Sequence, residues 1–200
     1  MTILIIAVMS YLIGAIPSGY LIFRASEKKD IRHFGSRATG ATNILRLKGW
    51  RYALPVAVID LAKGFGPAFA VLKVFADPNL AAVSAGFAVV GHCFPVYIGF
   101  KGGKGVATAA GAMFAIAPLS AVMSLGLFVL TVVGTRYVSL GSILAAAAFP
   151  LFMAVTKTPG ILIVLSLPIL FVILIRHAAN IRRLVRGQER KFGEKAAATP

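Results

Sequence analysis

Four short stretches of this 200-residue chain hold most of the groups that could do chemistry. In "GFKGGKGVAT" (99–108), Gly102, Gly103 and Gly105 surround Lys104. Glycine lets backbone N–H groups approach a ligand closely, lysine adds a point charge, and a helix starting near Val106 would aim its N-terminus at the same place. That assembly suits a phosphate; a tight basic turn at a membrane boundary is the alternative. It is not a nucleotide-hydrolysing loop. Ile98 stands where a Walker motif has its first glycine, and Gly105 where Ser or Thr would hold magnesium.

The second stretch, "HFGSRATGATNILRLKGWR" (33–51), offers Ser36, Thr42 and Asn43 as polar donors and Arg46 as a planar fork able to grip phosphate or carboxylate. In the third, "TRYVSLGS" (135–142), Ser142 could cap a helix or donate to a ligand, with capping the leading reading, and Arg136 could anchor a helix end. The fourth, "RHAANIRRLVRGQE" (176–189), sets His177 and Asn180 three apart, on one face if the preceding helix continues. A histidine beside an amide and several arginines could handle a proton or a phosphate, or be structural. Glu189 is expected to pair with the surrounding arginines. His33 and His92 read as structural.

Composition defines the elements that must position these groups. Apolar residues make up 58% of the chain and charged ones only 14%, with mean hydropathy +0.87, which excludes most soluble folds and any disordered chain. The net charge of +15 is loop charge that sets membrane topology, not a nucleic-acid face, because no polar scaffold is present to display one. A single cysteine, Cys93, rules out an internal disulfide. The apolar start at Met1 has no basic region before it and reads as a retained first span.

A span needs about 20 apolar residues. Residues 3–23, 52–75 and 79–99 each supply one, and 142–156 and 160–176 supply two more. The uncharged run 105–135 would overshoot the bilayer as one helix, so a break at Ala117-Pro118 divides it, proline being suited to a helix start. The expected architecture is therefore all-α, one integral membrane domain over 1–200 with seven transmembrane helices, N-terminus outside and C-terminus cytoplasmic. Basic residues agree: the inner segments hold eight (24–51), two (100–104), one (Arg136) and seven (176–195, Lys195 included). The four polar stretches then share the cytoplasmic face. Asp60 and Lys63, deep in the second span, read as a buried pair at i,i+3, with a proton or ion path as the alternative. Pro17-Ser18-Gly19 and Gly64-Phe-Gly66-Pro67 are expected to kink or loosen their helices, and Ala107, Ala110 and Gly111 to be close-packing positions.

Taken together and in order, "GSRATGATNILR" (35–46), "GHCFPVYIGFKGGKGVAT" (91–108), "SLGS" (139–142) and "HAANIRRLVRGQE" (177–189) resemble the bacterial PlsY family of membrane glycerol-3-phosphate acyltransferases. The resemblance implies acyl transfer from acyl phosphate to the 1-hydroxyl of glycerol 3-phosphate, giving lysophosphatidic acid at the bacterial plasma membrane. It implies no metal and no cofactor. The implied partners are the two substrates, membrane lipid and the enzyme that makes acyl phosphate. It also implies that Ser36 and Arg46 are needed for activity, and that His177 and Asn180 are an active-site pair. Gly102, Gly103, Lys104, Gly105 and Thr108 fall in the implied phosphate-binding motif, Thr42, Asn43 and Ser142 in its neighbours, and Glu189 at a position important for integrity. Arg37-Ala38 departs from the family's usual Gly-Asn, so the turn after Ser36 is expected to differ.

No carboxylate is well placed as a general base, and neither a His-Asp acyltransferase pattern nor a nucleophile triad is present. Direct attack by the substrate hydroxyl is expected, with His177 or the substrate's own phosphate taking the proton. A transporter of an organic phosphate is the rival reading; it would need polar groups continuing to the outer face.

Overall fold

The computed structural model describes residues 1–194; Lys195, counted above among the basic residues, lies outside them. The fold is all helical: α1 (Thr2–Gly14), α2 (Ser18–Glu27), α3 (Ala41–Lys48), α4 (Trp50–Phe75), α5 (Pro78–Cys93), α6 (Val106–Ile116), α7 (Pro118–Thr135), α8 (Val138–Val155), α9 (Gly160–Arg176) and α10 (Ala178–Val185), with short 3-10 turns at Ile31–His33 and Val96–Ile98. Five segments are long and apolar enough to cross a membrane: Thr2–Glu27, Trp50–Phe75, Pro78–Ile98, Pro118–Thr135 and Val138–Val155. A sixth forms if α9 and α10, bent by 58°, count as one.

The uncharged run divides where its proline is. α6 ends at Ala117 and Pro118 begins α7, because proline lacks the N–H a helix interior requires but fits its first turn. α6, with 11 residues, is about 16 Å long, roughly half the hydrocarbon thickness. The first span is interrupted at Ala15–Pro17, where Pro17 caps α2. α4 runs unbroken through Pro55 and Pro67. α5 starts on Asp77, whose carboxylate accepts from the N–H groups of Asn79 (2.8 Å) and Leu80 (3.3 Å), with Pro78 at its first position. α8 begins at Val138, four residues earlier than the sequence suggests. α9 ends at Arg176 with His177 as its cap, so the condition for His177 and Asn180 to share one helix face is not met.

Small residues let the helices touch through their backbones, which is how helices associate where lipid removes the hydrophobic drive. A Cβ on Gly64 would strike the Thr108 carbonyl, and one on Gly111 the Leu61 carbonyl, so α4 and α6 cross in direct contact. Gly14 and Gly91 do the same for α1 and α5. Gly111 is thus a packing position as expected, whereas Ala107 and Ala110 face a cavity. The main core joins α5 to α9 through Ala85, Val89, Ala112, Phe149, Met153 and Ile173. A smaller one, with Tyr20, Phe23, Ile31, Ile44 and Val56, seats the 28–49 connection on α2 and α4.

Asp60 and Lys63 pair as their spacing predicts, at 2.8 Å and almost fully buried. Lys63 also donates to the Ile16 carbonyl, freed where α1 gives way to α2 (2.7 Å), and Ser18 donates to Asp60 (2.5 Å). The interruption in the first span is therefore tied to the charge pair in the second.

Candidate functional site

One cavity of about 470 Å³ lies between α3, α4 and α6–α9, and the polar stretches meet at one end of it. Ser36, Thr42, Asn43, Arg46, Lys104, Gly105, Ser142, His177 and Asn180 all line it, with Ser139 and Glu189. Its other end is apolar, walled by residues such as Met113, Phe114, Phe128, Phe149 and Ile169. From Ser139 to Phe149 the wall follows α8 for about 15 Å. A cationic mouth leading into a greasy cleft fits an amphiphile with an anionic head.

The mouth is built in layers. α6 starts after Gly105 without a side-chain cap, so its first-turn N–H groups have no partner within the helix. Gly105, Val106 and Ala107 line the cavity beside Lys104, which gives an anion a helix N-terminus and an ammonium together. Gly105 sits at φ 84°, a left-handed conformation that side chains resist, and a Cβ there would crowd Cys93. Burial pushes the Lys104 pKa down to about 8; Glu189 opposes that shift, and Arg183, Arg46 and Arg176 reinforce it.

Gly102 and Gly103 do not line the cavity. The Gly103 N–H donates to the His92 carbonyl (3.1 Å), and a Cβ on Gly103 would run into the His92 ring. Gly102 packs on the His92 carbonyl and Pro95. Their carbonyls accept from Arg176, at 2.9 Å from Gly102 and 3.0 Å from Gly103. These two glycines hold the loop in place and leave no free amide at Gly103 for a ligand. Thr108 is likewise off the cavity, fully buried against Gly64 with its hydroxyl unpartnered.

Across the mouth, Asn43 closes its own loop. Its Oδ1 accepts from the Ser36 N–H (2.9 Å), and its Nδ2 donates to the carbonyls of Phe34 (3.2 Å) and Ala38 (2.9 Å). Ser36 and Thr42 are exposed at the rim. Arg37 adopts φ 61°, so the turn keeps a backbone suited to the family's glycine although arginine occupies it. Among the described residues Arg46 donates only to the Arg190 carbonyl, at 3.4 Å. Burial lowers its pKa, with Glu189 opposing, yet a guanidinium stays charged throughout.

The break after α9 turns His177 inward, 2% exposed. Its Nδ1 lies 2.8 Å from the Ile173 carbonyl; a carbonyl only accepts, so Nδ1 carries the proton and Nε2 is left as an acceptor. Asn180 donates to Glu189 (2.7 Å), which also accepts from Ser139 (2.9 Å) and Arg183 (2.7 Å). Burial would raise the Glu189 pKa, but hydrogen bonds from Arg183, Asn180 and Ser139 hold it below the usual carboxylate value. Glu189 thus pairs with an arginine as expected, and it also fastens the C-terminal segment under α8. Ser142 is not a cap: its hydroxyl donates back to the Val138 carbonyl (2.8 Å), inside α8.

Arg176, Ser139 and the His92–Gly103 contact escaped the sequence reading. Arg176 looked like one more charge at a span end, and its partners lie 73 and 74 residues away; only a Gly-Gly pair wanting carbonyl partners hinted at it.

The family model described as glycerol-3-phosphate acyltransferase matches residues 4–187. A glycerol-3-phosphate acyltransferase of Geobacter sulfurreducens is 44% identical over 190 residues, covering 94% of this chain and 97% of its own. One from Chlorobaculum tepidum is 42% identical over 230 residues, with 98% and 99% covered. Among solved structures, the crystal structure of PlsY, an integral membrane glycerol 3-phosphate acyltransferase, matches in its glycerol 3-phosphate form with TM-score 0.92. Its lysophosphatidic acid form matches with TM-score 0.89, and both share 38% identity over 96% of each chain.

Proposed function

The chain belongs to the glycerol-3-phosphate acyltransferase family, and from that premise we propose that it takes the acyl group from an acyl phosphate. The acceptor is the 1-hydroxyl of glycerol 3-phosphate, and the products are lysophosphatidic acid and phosphate, the first acylation of phospholipid synthesis. The observation that carries this reading is the single cavity with a cationic mouth and an apolar cleft. In this reading the mouth takes two phosphates and the cleft takes the fatty chain.

In the proposed reaction the hydroxyl oxygen attacks the acyl carbonyl carbon, and the bond from that carbon to the phosphate oxygen breaks. Lys104 and the first-turn N–H groups of α6 hold one phosphate, and Arg46 with Ser36 and Thr42 holds the other. Phosphate leaves without a strong acid. The hydroxyl proton passes to His177 Nε2 or to the phosphate of glycerol 3-phosphate itself, while Asn180, anchored by Glu189, orients the hydroxyl. Asn43 shapes the Ser36 loop, and Gly102, Gly103 and Gly105 shape the Lys104 loop. No step requires a metal or a cofactor.

The proposed topology has seven crossings in one domain over 1–200, with α6 and α7 as an outgoing and returning pair. Residues 104–107 line the same cavity as Val138, Ser139 and Ser142, which supports a return between them. The basic residues at the mouth support its placement at the cytoplasmic face of a bacterial plasma membrane, with the N-terminus outside. The lipid-like donor then comes from the enzyme that makes acyl phosphate. Transport of an organic phosphate is disfavoured, because beyond Asp60 and His92 the described lining is mostly apolar, with the hydroxyls of Ser124 and Ser166 and no further charge.

The test supplies purified protein with glycerol 3-phosphate and, separately, palmitoyl phosphate, palmitoyl-CoA or palmitoyl carrier protein. Lysophosphatidic acid is expected from the first donor alone. Equal rates with a thioester, or no product from any donor, would contradict the proposal.

A further inference from the structure

His92 lies outside the groups given a role above, yet it stands between two of the molecule's most constrained features. On one side its Nδ1 is 3.5 Å from Asp60 Oδ1, and Asp60 is fixed in turn by Lys63 and Ser18. On the other, its ring lies against Gly103 so closely that a Cβ there would meet Nε2, and its carbonyl takes the Gly103 N–H at 3.1 Å. The side chain is 6% exposed. His92 and Asp60 both line the cavity, so the buried charges are continuous with the site and not an isolated structural pair.

A chain of contacts therefore runs from the α1–α2 interruption, through Lys63 and Asp60, to the His92 ring and on to Gly103, the residue before Lys104. Arg176 closes the opposite side by holding the Gly102 and Gly103 carbonyls. The loop is then clamped from α5 and from α9, with Lys104 as the next residue out. A buried ring packed between Asp60 and Gly103 has little room to move aside for a displaced backbone, so it sets where the Lys104 Cα and the start of α6 sit.

We propose that His92, packed between Asp60 and Gly103, is a positioning residue that fixes the Lys104 loop for phosphate binding. This rests on the reading that Lys104 holds a substrate phosphate. In this role His92 acts through Gly103 and not by contact with a substrate. The requirement for glycine at 103 is the reciprocal of the histidine ring, and the two positions form one device.

The test measures KM for glycerol 3-phosphate and for acyl phosphate, with kcat and thermal unfolding, in Lys104→Ala, His92→Ala, Gly103→Ala and the His92→Ala/Gly103→Ala pair. Lys104→Ala identifies the substrate whose phosphate the loop holds. His92→Ala is expected to raise that same KM about tenfold and to leave kcat within about threefold of wild type. Gly103→Ala is expected to cost more in the wild-type background than in the His92→Ala background, where the ring no longer blocks the added methyl. If His92→Ala does not fold, His92→Gln carries the same cycle, since a flexible amide can yield where the ring cannot. Wild-type KM values in the His92 variant alongside a raised KM in Lys104→Ala would overturn the inference alone. So would strictly multiplicative effects in the pair, or a lower unfolding temperature with unchanged KM. An unchanged KM for both substrates in Lys104→Ala would overturn the phosphate reading and the inference with it.

Discussion

The polar loop before Arg46 is closed by hydrogen bonds from its own side chains, whereas the loop carrying Lys104 is hydrogen-bonded by residues from two other helices. Asn43 ties Ser36, Phe34 and Ala38 within a few residues of itself, and among the described residues Arg46 reaches one carbonyl, at 3.4 Å. Lys104 extends from a loop locked by His92 on α5 and Arg176 on α9, and among the described residues it has no ion-pair partner. A long, loosely held guanidinium can follow a small mobile ligand. An ammonium on a clamped loop beside a helix N-terminus offers a fixed charge, the kind of preorganisation that stabilises a departing or reacting anion.

This contrast predicts unequal consequences of damage. Lys104→Ala should have the largest effect, lowering kcat/KM by about a thousandfold in steady-state assays, with the unfolding temperature nearly unchanged. Asn43→Ala should come next. It leaves buried backbone groups without partners, at a cost of about 2 kcal/mol, and should lower both thermal stability and activity, the latter by about thirtyfold. An Asn43→Ala enzyme with normal activity would show that the loop does not depend on its local hydrogen bonds.

A smaller effect distinguishes the two cations by pH. Burial lowers the Lys104 pKa to about 8, with Glu189 raising it and Arg183, Arg46 and Arg176 lowering it. The ammonium is therefore present below pH 8 and lost above it, while Arg46 stays charged. KM for the substrate held by Lys104 should rise about tenfold per pH unit above 8, and kcat should change less, because a bound phosphate stabilises the protonated lysine. Lys104→Arg should flatten that rise. The smallest effect belongs to Arg37→Gly: relief of the left-handed backbone slightly exceeds the freedom glycine adds to the unfolded chain, so stability should gain about 0.5 kcal/mol by thermal unfolding.

The same contrast explains what could be read before the structure. Features set by neighbours along the chain were legible: the break at Ala117-Pro118, the Asp60–Lys63 pair at i,i+3, the loosening of the first span near Pro17 and the pairing of Glu189 with an arginine. The polar residues that share the cavity were legible as a set, because membrane topology forces alternate connections to one end. What failed depends on contacts between distant segments. Gly102 and Gly103 read as a cradle because glycine next to lysine suits phosphate, yet they face His92 and Arg176. The interruption at His177 bends the chain by 58° with no proline or glycine to mark it. Ser142 sits inside α8 because the helix starts four residues before it, at Val138.

The central claim is that the mouth holds two separate anion sites, one on each segment. It is tested most directly by measuring KM for glycerol 3-phosphate and for acyl phosphate in Arg46→Ala and Lys104→Ala. The account predicts that each substitution raises the KM of a different substrate by more than about tenfold and leaves the other within about threefold. If both substitutions raise the KM of the same substrate and spare the other, the mouth holds a single anion site and the account is contradicted.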